Sequence, residues 1–349
     1  MADAPAIFII GTGRSGTTLL RLMLSAHPNI YIAHEASFYV WESLFPKSKS
    51  ATEFLRFFVQ TFSFRWLDLD PRQVFGDLPN PLPRERVHEA HTALLKAKAA
   101  RYGRTRYGDK TPAHAGHIKR LYADYPDAKI IHIVRDPRAV VRSMQRMPWA
   151  SAAVTANAMF CEVERKQVAP YQSDMHQLRL EDLIANPEQV MRGVLDFVGE
   201  PWDDAVLDHA AHIPDHKDMP PLPWLTPATG RIRRGPDDRP QLSAVQLRLV
   251  ESLNKNSMRE YAYDPAHVTK EPSRLRVLAA LLAELPEALR FAWYYLRLGL
   301  TMRDPKHFDA PHSKALFARL NPPSWRYYPD LVEIPDAPPL PEDWELPFR

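Results

Sequence analysis

One cysteine, Cys161, is all the thiol chemistry open to this 349-residue chain. It excludes a disulfide within the chain and leaves too few thiolates for a cysteine-built zinc site, so a reducing, cytoplasmic setting is expected. Charge of one sign is also scarce. A formal net of +3 is too small to draw nucleic acid by bulk electrostatics, though it leaves room for a local basic pocket facing a phosphate-rich ligand. No apolar run is clean enough to span a bilayer: the most apolar stretch, residues 277–300, is interrupted by Glu284, Pro286, Glu287, Arg290 and Arg297. The N-terminal MADAPAIFIIGTGRSG has no basic flank and reaches glycine after a few apolar residues. It reads as a first strand, not a signal peptide.

Proline, by contrast, is abundant, with 34 residues against a usual share of about 5%. PNPLP at 79–83, PPLP at 220–223 and the tail after Asn321 mark loops or extended covering segments. Residues 6–10 form a short apolar run ending in glycine, as in a strand buried on both faces of a parallel sheet. Residues 29–33 and 129–134 are further strand candidates. Helical patterns over 17–28, 139–147, 186–198 and 242–261 alternate with them. The expected fold is α/β, a doubly wound parallel sheet of about five strands, spanning residues 1–268. Residues 269–349 form a helical, proline-rich extension.

Three of only twelve glycines lie in GTGRSGTT, residues 11–18, between the first strand and the first helix. This spacing exposes backbone N–H groups and a helix N-terminus to an anion, as in a P-loop. A nucleotide triphosphatase has lysine after the last glycine; here Thr17 stands there. Without that lysine a β/γ-phosphate is poorly held, whereas a phosphosulfate needs mainly N–H and hydroxyl donors from Ser15, Gly16, Thr17 and Thr18, with Arg14.

The loop GRSGTT and the later VRDPRAVVRSM, residues 134–144, resemble the sulfotransferase superfamily. Its members use 3′-phosphoadenosine 5′-phosphosulfate (PAPS) as sulfuryl donor and release adenosine 3′,5′-bisphosphate (PAP). The resemblance implies that the loop binds the 5′-phosphosulfate and that Arg135 and Ser143 hold the 3′-phosphate. Asp136 as a helix cap and Arg135 as a surface ion pair is the plainer account of that segment. LEDLIANPEQVMRGVLDFVGEPWD, residues 180–203, is similar to a family helix, with Leu180 where tyrosine is common. TGRIRRG, residues 229–235, resembles the late loop over the donor, which makes Arg231 and Arg233 candidate contacts. In all, the likeness covers residues 5–265.

An acceptor hydroxyl must lose a proton as it attacks sulfur, and Glu35, after the second strand, is the candidate base. Arg14, His27–Pro28 and Glu35 share their spacing with the tyrosylprotein sulfotransferases and related bacterial enzymes. His34 is the rival base. Arg14 and Lys110 are the cations for the leaving oxygen. Lys110 lies in YGDKTPAH, which resembles a family segment after the third strand, with Asp109 placed to orient its ammonium. The histidines at 114, 117, 209, 212 and 216 have no cysteine partner, and no metal is expected. An ATP-dependent small-molecule kinase, or a non-catalytic nucleotide-binding protein, is the alternative.

In the extension, Leu278, Leu281, Leu282, Leu285, Leu289 and Leu296, with Trp293, form an apolar stripe at helical spacing. The helix is expected to pack on or near the catalytic domain, with a kink at Pro286 and a strap carrying Trp325, Tyr327, Tyr328 and Trp344 beyond it. An acceptor pocket, peripheral membrane contact and a dimer contact remain open, as do the oligomeric state and the acceptor: small molecule, lipid, sugar or tyrosyl peptide.

Overall fold

The computed structural model describes residues 4–147, 150–212, 230 and 241–301. At its centre five parallel strands run side by side: β1 (Ile7–Ile10), β2 (Ile30–His34), β3 (Arg106–Lys110), β4 (Lys129–Val134) and β5 (His176–Arg179). Their order across the sheet is β2-β3-β1-β4-β5. Ten helices of seven or more residues occur among the described residues. They are α1 (Thr17–Ala26), α2 (Phe38–Leu44), α3 (Ala51–Phe58), α4 (Val87–Arg101), α5 (Ile118–Asp124), α6 (Pro137–Met144), α7 (Val154–Val168), α8 (Pro187–Val198), α9 (Ala244–Leu253) and α10 (Arg274–Thr301).

The alternation of β1 divides the core. Ile7 and Ile9 join Ile30, Ile32, Ile131 and Ile133 in a layer closed by α1 and α8. Phe8 and Ile10 point the other way, into an aromatic layer supplied by α2, α3 and α4. The doubly wound sheet expected from the apolar runs is therefore present, with β1 at its middle and its outgoing loop at the carboxyl edge.

Two strands carry no apolar run. β3 reads RYGDK, yet all five residues are buried. Arg106 is tolerated there because its guanidinium meets Glu200 at 2.6 Å and the carbonyls of Val198 and Pro5 at 3.0 and 3.2 Å. A Cβ on Gly108 would lie 2.1 Å from the Ile7 carbonyl, so a side chain would force β1 and β3 apart. The helix expected over 242–261 is divided at Asn254 into α9, which opens on a Ser243–Gln246 capping box, and a short helix Lys255–Glu260.

α10 runs as one helix through Pro286 and packs on α7 and α9, but not by its leucines. Phe291 is buried with Ala153 and Ala156 at the start of α7, Ala288 packs beside it, and Glu284 accepts a 2.8 Å hydrogen bond from the Thr155 N–H. The stripe from Leu275 to Leu300 faces outward. The contact is made by Phe291 with Ala288 and Glu284, three and seven residues before it, and the leucine stripe lies on the other face. No helix among the described residues is long and apolar enough to cross a membrane.

Candidate active site

The loop after β1 is built for close approach. Gly11 has φ +154°, and a Cβ there would sit 2.4 Å from the Ile133 carbonyl; Gly16 has φ +92°, where a Cβ would meet Leu180 at 2.5 Å. Leu180 is therefore a packing residue that closes the loop from the β5 side. Gly16 caps α1 with no side-chain bond, so the first amides of α1 face the loop's concavity. Arg14 holds a left-handed φ of 75°. A non-glycine residue in that region costs on the order of 1–3 kcal/mol and persists where surrounding structure demands it.

From this loop the sequence candidates are joined in one chain of contacts. The Arg14 Nε donates to Ser143 Oγ at 3.1 Å, and Arg135 Nη1 donates to the Arg14 carbonyl at 3.0 Å. Arg135 is thus tied to the loop through the Arg14 backbone. Asp136 does cap α6, accepting from the Arg138 N–H at 2.8 Å, and it also binds the Arg138 guanidinium, which reaches Glu251. The cap and the loop-bound arginine are adjacent residues with separate contacts. Ser15 and Thr17 are buried in the loop.

On the other flank Lys110, the last residue of β3, is wholly buried and extends its Nζ to Glu35 Oε1 at 2.5 Å and to Thr18 Oγ1 at 3.4 Å. An ammonium therefore reaches the loop from the neighbouring strand, although the loop's own lysine position is Thr17. Burial lowers the Lys110 pKa, and the Glu35 carboxylate opposes that shift. The Glu35 side chain remains 42% exposed, open to an incoming molecule. His34 is buried, and its pKa falls well below the usual imidazole value through desolvation, with Lys110 and Arg21 adding to the shift.

Asp109 does not orient the Lys110 ammonium as expected. Successive strand residues face opposite sides, and the Asp109 carboxylate instead accepts from the Ala36 N–H at 3.2 Å and the Thr111 hydroxyl at 2.9 Å. Its nearest imidazoles are His114 at 3.5 Å and His91 at 3.9 Å. Burial raises the Asp109 carboxyl to about 7, against the hydrogen bonds from Thr111 and Ala36. Burial also drops His91 to about 3 and His114 well below its usual value.

A further group was not anticipated. Glu164 of α7 accepts from Thr12 Oγ1 at 3.1 Å and bonds His132 Nε2, while Gln177 Nε2 lies 2.8 Å from His132 Nδ1. With the Gln177 amide donating, His132 carries its proton on Nε2 and donates it to Glu164. This buried relay ties β4, β5 and α7 to the start of the loop. Its signal, a lone Glu in a mixed helix, is indistinguishable from a surface charge. His27 is also structural: its ring bonds the Pro201 carbonyl and the Asn29 N–H at 2.9 and 3.2 Å. Cys161 is buried, which pushes its thiol pKa up and suits packing better than nucleophilic chemistry. No group of three or more His, Cys, Asp or Glu that could hold a metal occurs among the described residues. Arg231, Arg233, His216 and the tail aromatics lie outside the described residues.

A family model described as the sulfotransferase family matches residues 5–204. The chain belongs to the sulfotransferase family. Among similar relatives are protein-tyrosine sulfotransferase 1 of Danio rerio, 29% identical over 59% of this chain and 56% of that protein, and protein-tyrosine sulfotransferase of Drosophila melanogaster, 27% identical over 60% and 41%. The chain spans about half the length of such relatives. The sulfotransferase domain of the Synechococcus PCC 7002 olefin synthase superposes with a TM-score of 0.51 at 21% identity, covering 75% of this chain and 96% of that domain. That likeness speaks to the fold alone: a parallel sheet flanked by helices.

Proposed function

We propose that this sulfotransferase-family chain transfers the sulfuryl group of PAPS to an acceptor hydroxyl in a single in-line displacement. Glu35 takes the hydroxyl proton as the acceptor oxygen bonds to sulfur. The bond from sulfur to the bridging phosphate oxygen breaks, and Lys110 and Arg14 stabilise the charge that collects on that oxygen. The products are the sulfated acceptor and PAP. Arg135 and Ser143 hold the 3′-phosphate, Ser15 to Thr18 hold the 5′-phosphosulfate, and Arg231 and Arg233 are assigned to the donor's outer side. Residues 1–268 carry this chemistry, with 269–349 as an extension.

The observation that carries the reading is the contact of Glu35 with Lys110 beside Thr18. It sets a carboxylate able to take a proton and a cation able to meet a leaving oxygen at one end of an anion-binding loop. A kinase would need its cation within the loop or from magnesium, and Thr17 argues against the first. The names of the relatives make a tyrosyl hydroxyl the first acceptor to try.

The test is calorimetry with PAP and with ATP plus magnesium, on the wild type and on a variant carrying R135A and S143A. The expected result is PAP binding at least tenfold tighter than ATP, lost in the variant. Tighter ATP binding that ignores both substitutions would overturn the sulfotransferase reading.

A further inference from the structure

Glu35 and Ser37 bracket a turn that leaves β2 with two left-handed residues, at φ 32° and 51°. Three consecutive amides of this turn are bound by three consecutive residues at the end of β3. The Glu35 N–H donates to the Lys110 carbonyl at 2.9 Å, the Ala36 N–H to Asp109 Oδ1 at 3.2 Å and the Ser37 N–H to Thr111 Oγ1 at 3.1 Å. The Thr111 hydroxyl then donates to Asp109 Oδ2 at 2.9 Å, which closes the pair. Asp109 and Thr111 are buried, while Glu35 is the exposed member. A backbone conformation disfavoured for non-glycine residues is thus held by side chains that face away from the loop.

We propose that Asp109 and Thr111 are positioning residues, which clamp the 35–37 turn so that the Glu35 carboxylate stays on the Lys110 ammonium. This rests on the reading of Glu35 as the base. The clamp works in two stages: Asp109 fixes the Thr111 hydroxyl so that its oxygen lone pair faces the Ser37 amide, and the two acceptors together fix successive peptide planes. Loss of either acceptor releases the turn toward ordinary backbone angles and swings the Glu35 carboxylate off Lys110. The donor loop, on the next strand, keeps its own contacts. The effect is therefore on Glu35 and Lys110, not on nucleotide affinity.

The test pairs T111V with T111S, and E35Q serves as reference. In protein labelled with [13Cε]lysine, the Lys110 resonance, assigned by its loss in K110M, is titrated. Glu35 holds the Lys110 pKa up, so T111V and E35Q should each lower it by about one pH unit or more, and T111S should keep the wild-type value. In parallel, PAP release from PAPS with a tyrosyl peptide should slow about tenfold in T111V at unchanged PAP affinity, and T111S should restore it. If Lys110 titrates normally in T111V but shifts in E35Q, the clamp does not position Glu35 and the proposal is overturned. PAP affinity lost in proportion to rate also overturns it, since that marks general damage. Should T111V not fold, D109N, which reverses the bond with Thr111, replaces it. If the wild type releases no PAP, the functional reading has failed, and the Lys110 titration still decides the clamp.

Discussion

Lys110 combines a chemical task with a structural cost. Its ammonium is wholly buried and its pKa is lowered by desolvation, so the charged form is held at the expense of hydration. Glu35, its partner, is exposed enough to be solvated alone. Replacement of Lys110 by Met should therefore leave stability equal to or above the wild type in urea, while sulfuryl transfer falls by roughly 10²–10³-fold, the usual cost of one lost donor at a developing oxyanion. Equal losses of stability and rate would mark Lys110 as a structural residue. Asp109 provides a second test. Its carboxyl is raised by burial to about 7, above its unfolded value. Its contribution to stability is thus complete below about pH 4 and is lost as pH rises through 7. His34, His91 and His114, lowered by burial, act in the opposite sense: their contribution is lost as pH falls below about 6.5. The difference between D109N and the wild type isolates the carboxyl. In urea titrations it should move in favour of D109N between pH 4 and pH 7; a flat difference would show Asp109 ionised throughout. The sequence singled out Glu35, Arg14, Lys110, Arg135 and Ser143 by spacing and by family resemblance, and the structure brings Glu35 to Lys110, and Arg14 to Ser143 and Arg135, in direct contact. The facing of Asp109 was not legible, because it depends on β3 being a strand and on its register. Glu164 and His132 were not legible because the relay joins residues far apart in sequence.

At the scale of elements, an apolar run revealed β1 and β4, and charge concealed β3. Hydrophobic periodicity finds strands whose faces are greasy. It passes over RYGDK, where burial is offset by ion pairs and hydrogen bonds to Glu200, Glu35 and Thr111. α10 shows the complementary limit. Its 3.6-residue stripe marked a helix correctly, but a stripe does not say what covers it. Leu282 and Leu289 are 58% and 59% exposed, whereas Phe291 is buried against Ala153 and Ala156. Leu282→Glu and Leu289→Glu should each change unfolding free energy by no more than about 0.5 kcal/mol. Phe291→Ala should cost about 3 kcal/mol. Urea denaturation of the three variants separates the two faces. A loss above 2 kcal/mol for either glutamate would mean that protein covers the stripe.

For the whole molecule, the sheet gathers cations that the net charge of +3 conceals. β1 lies at the centre, so its loop receives Lys110 from β3 on one side and Arg135 from β4 on the other, with Arg14 between them. Among the described residues two carboxylates that touch this end of the sheet are engaged: Glu35 by Lys110, and Glu164 by Thr12 and His132. In the proposed reading, anion charge at this site is met by these side-chain cations. The consequence is a pattern of linkage. PAP at a hundred times its dissociation constant should stabilise the fold by about 2.7 kcal/mol. That protection, read by thermal unfolding, should survive EDTA, weaken as salt screens the arginines, and vanish when Arg135 and Ser143 are both replaced by Ala. Protection that EDTA removes would assign the charge to a bound metal and leave the arginines a lesser part.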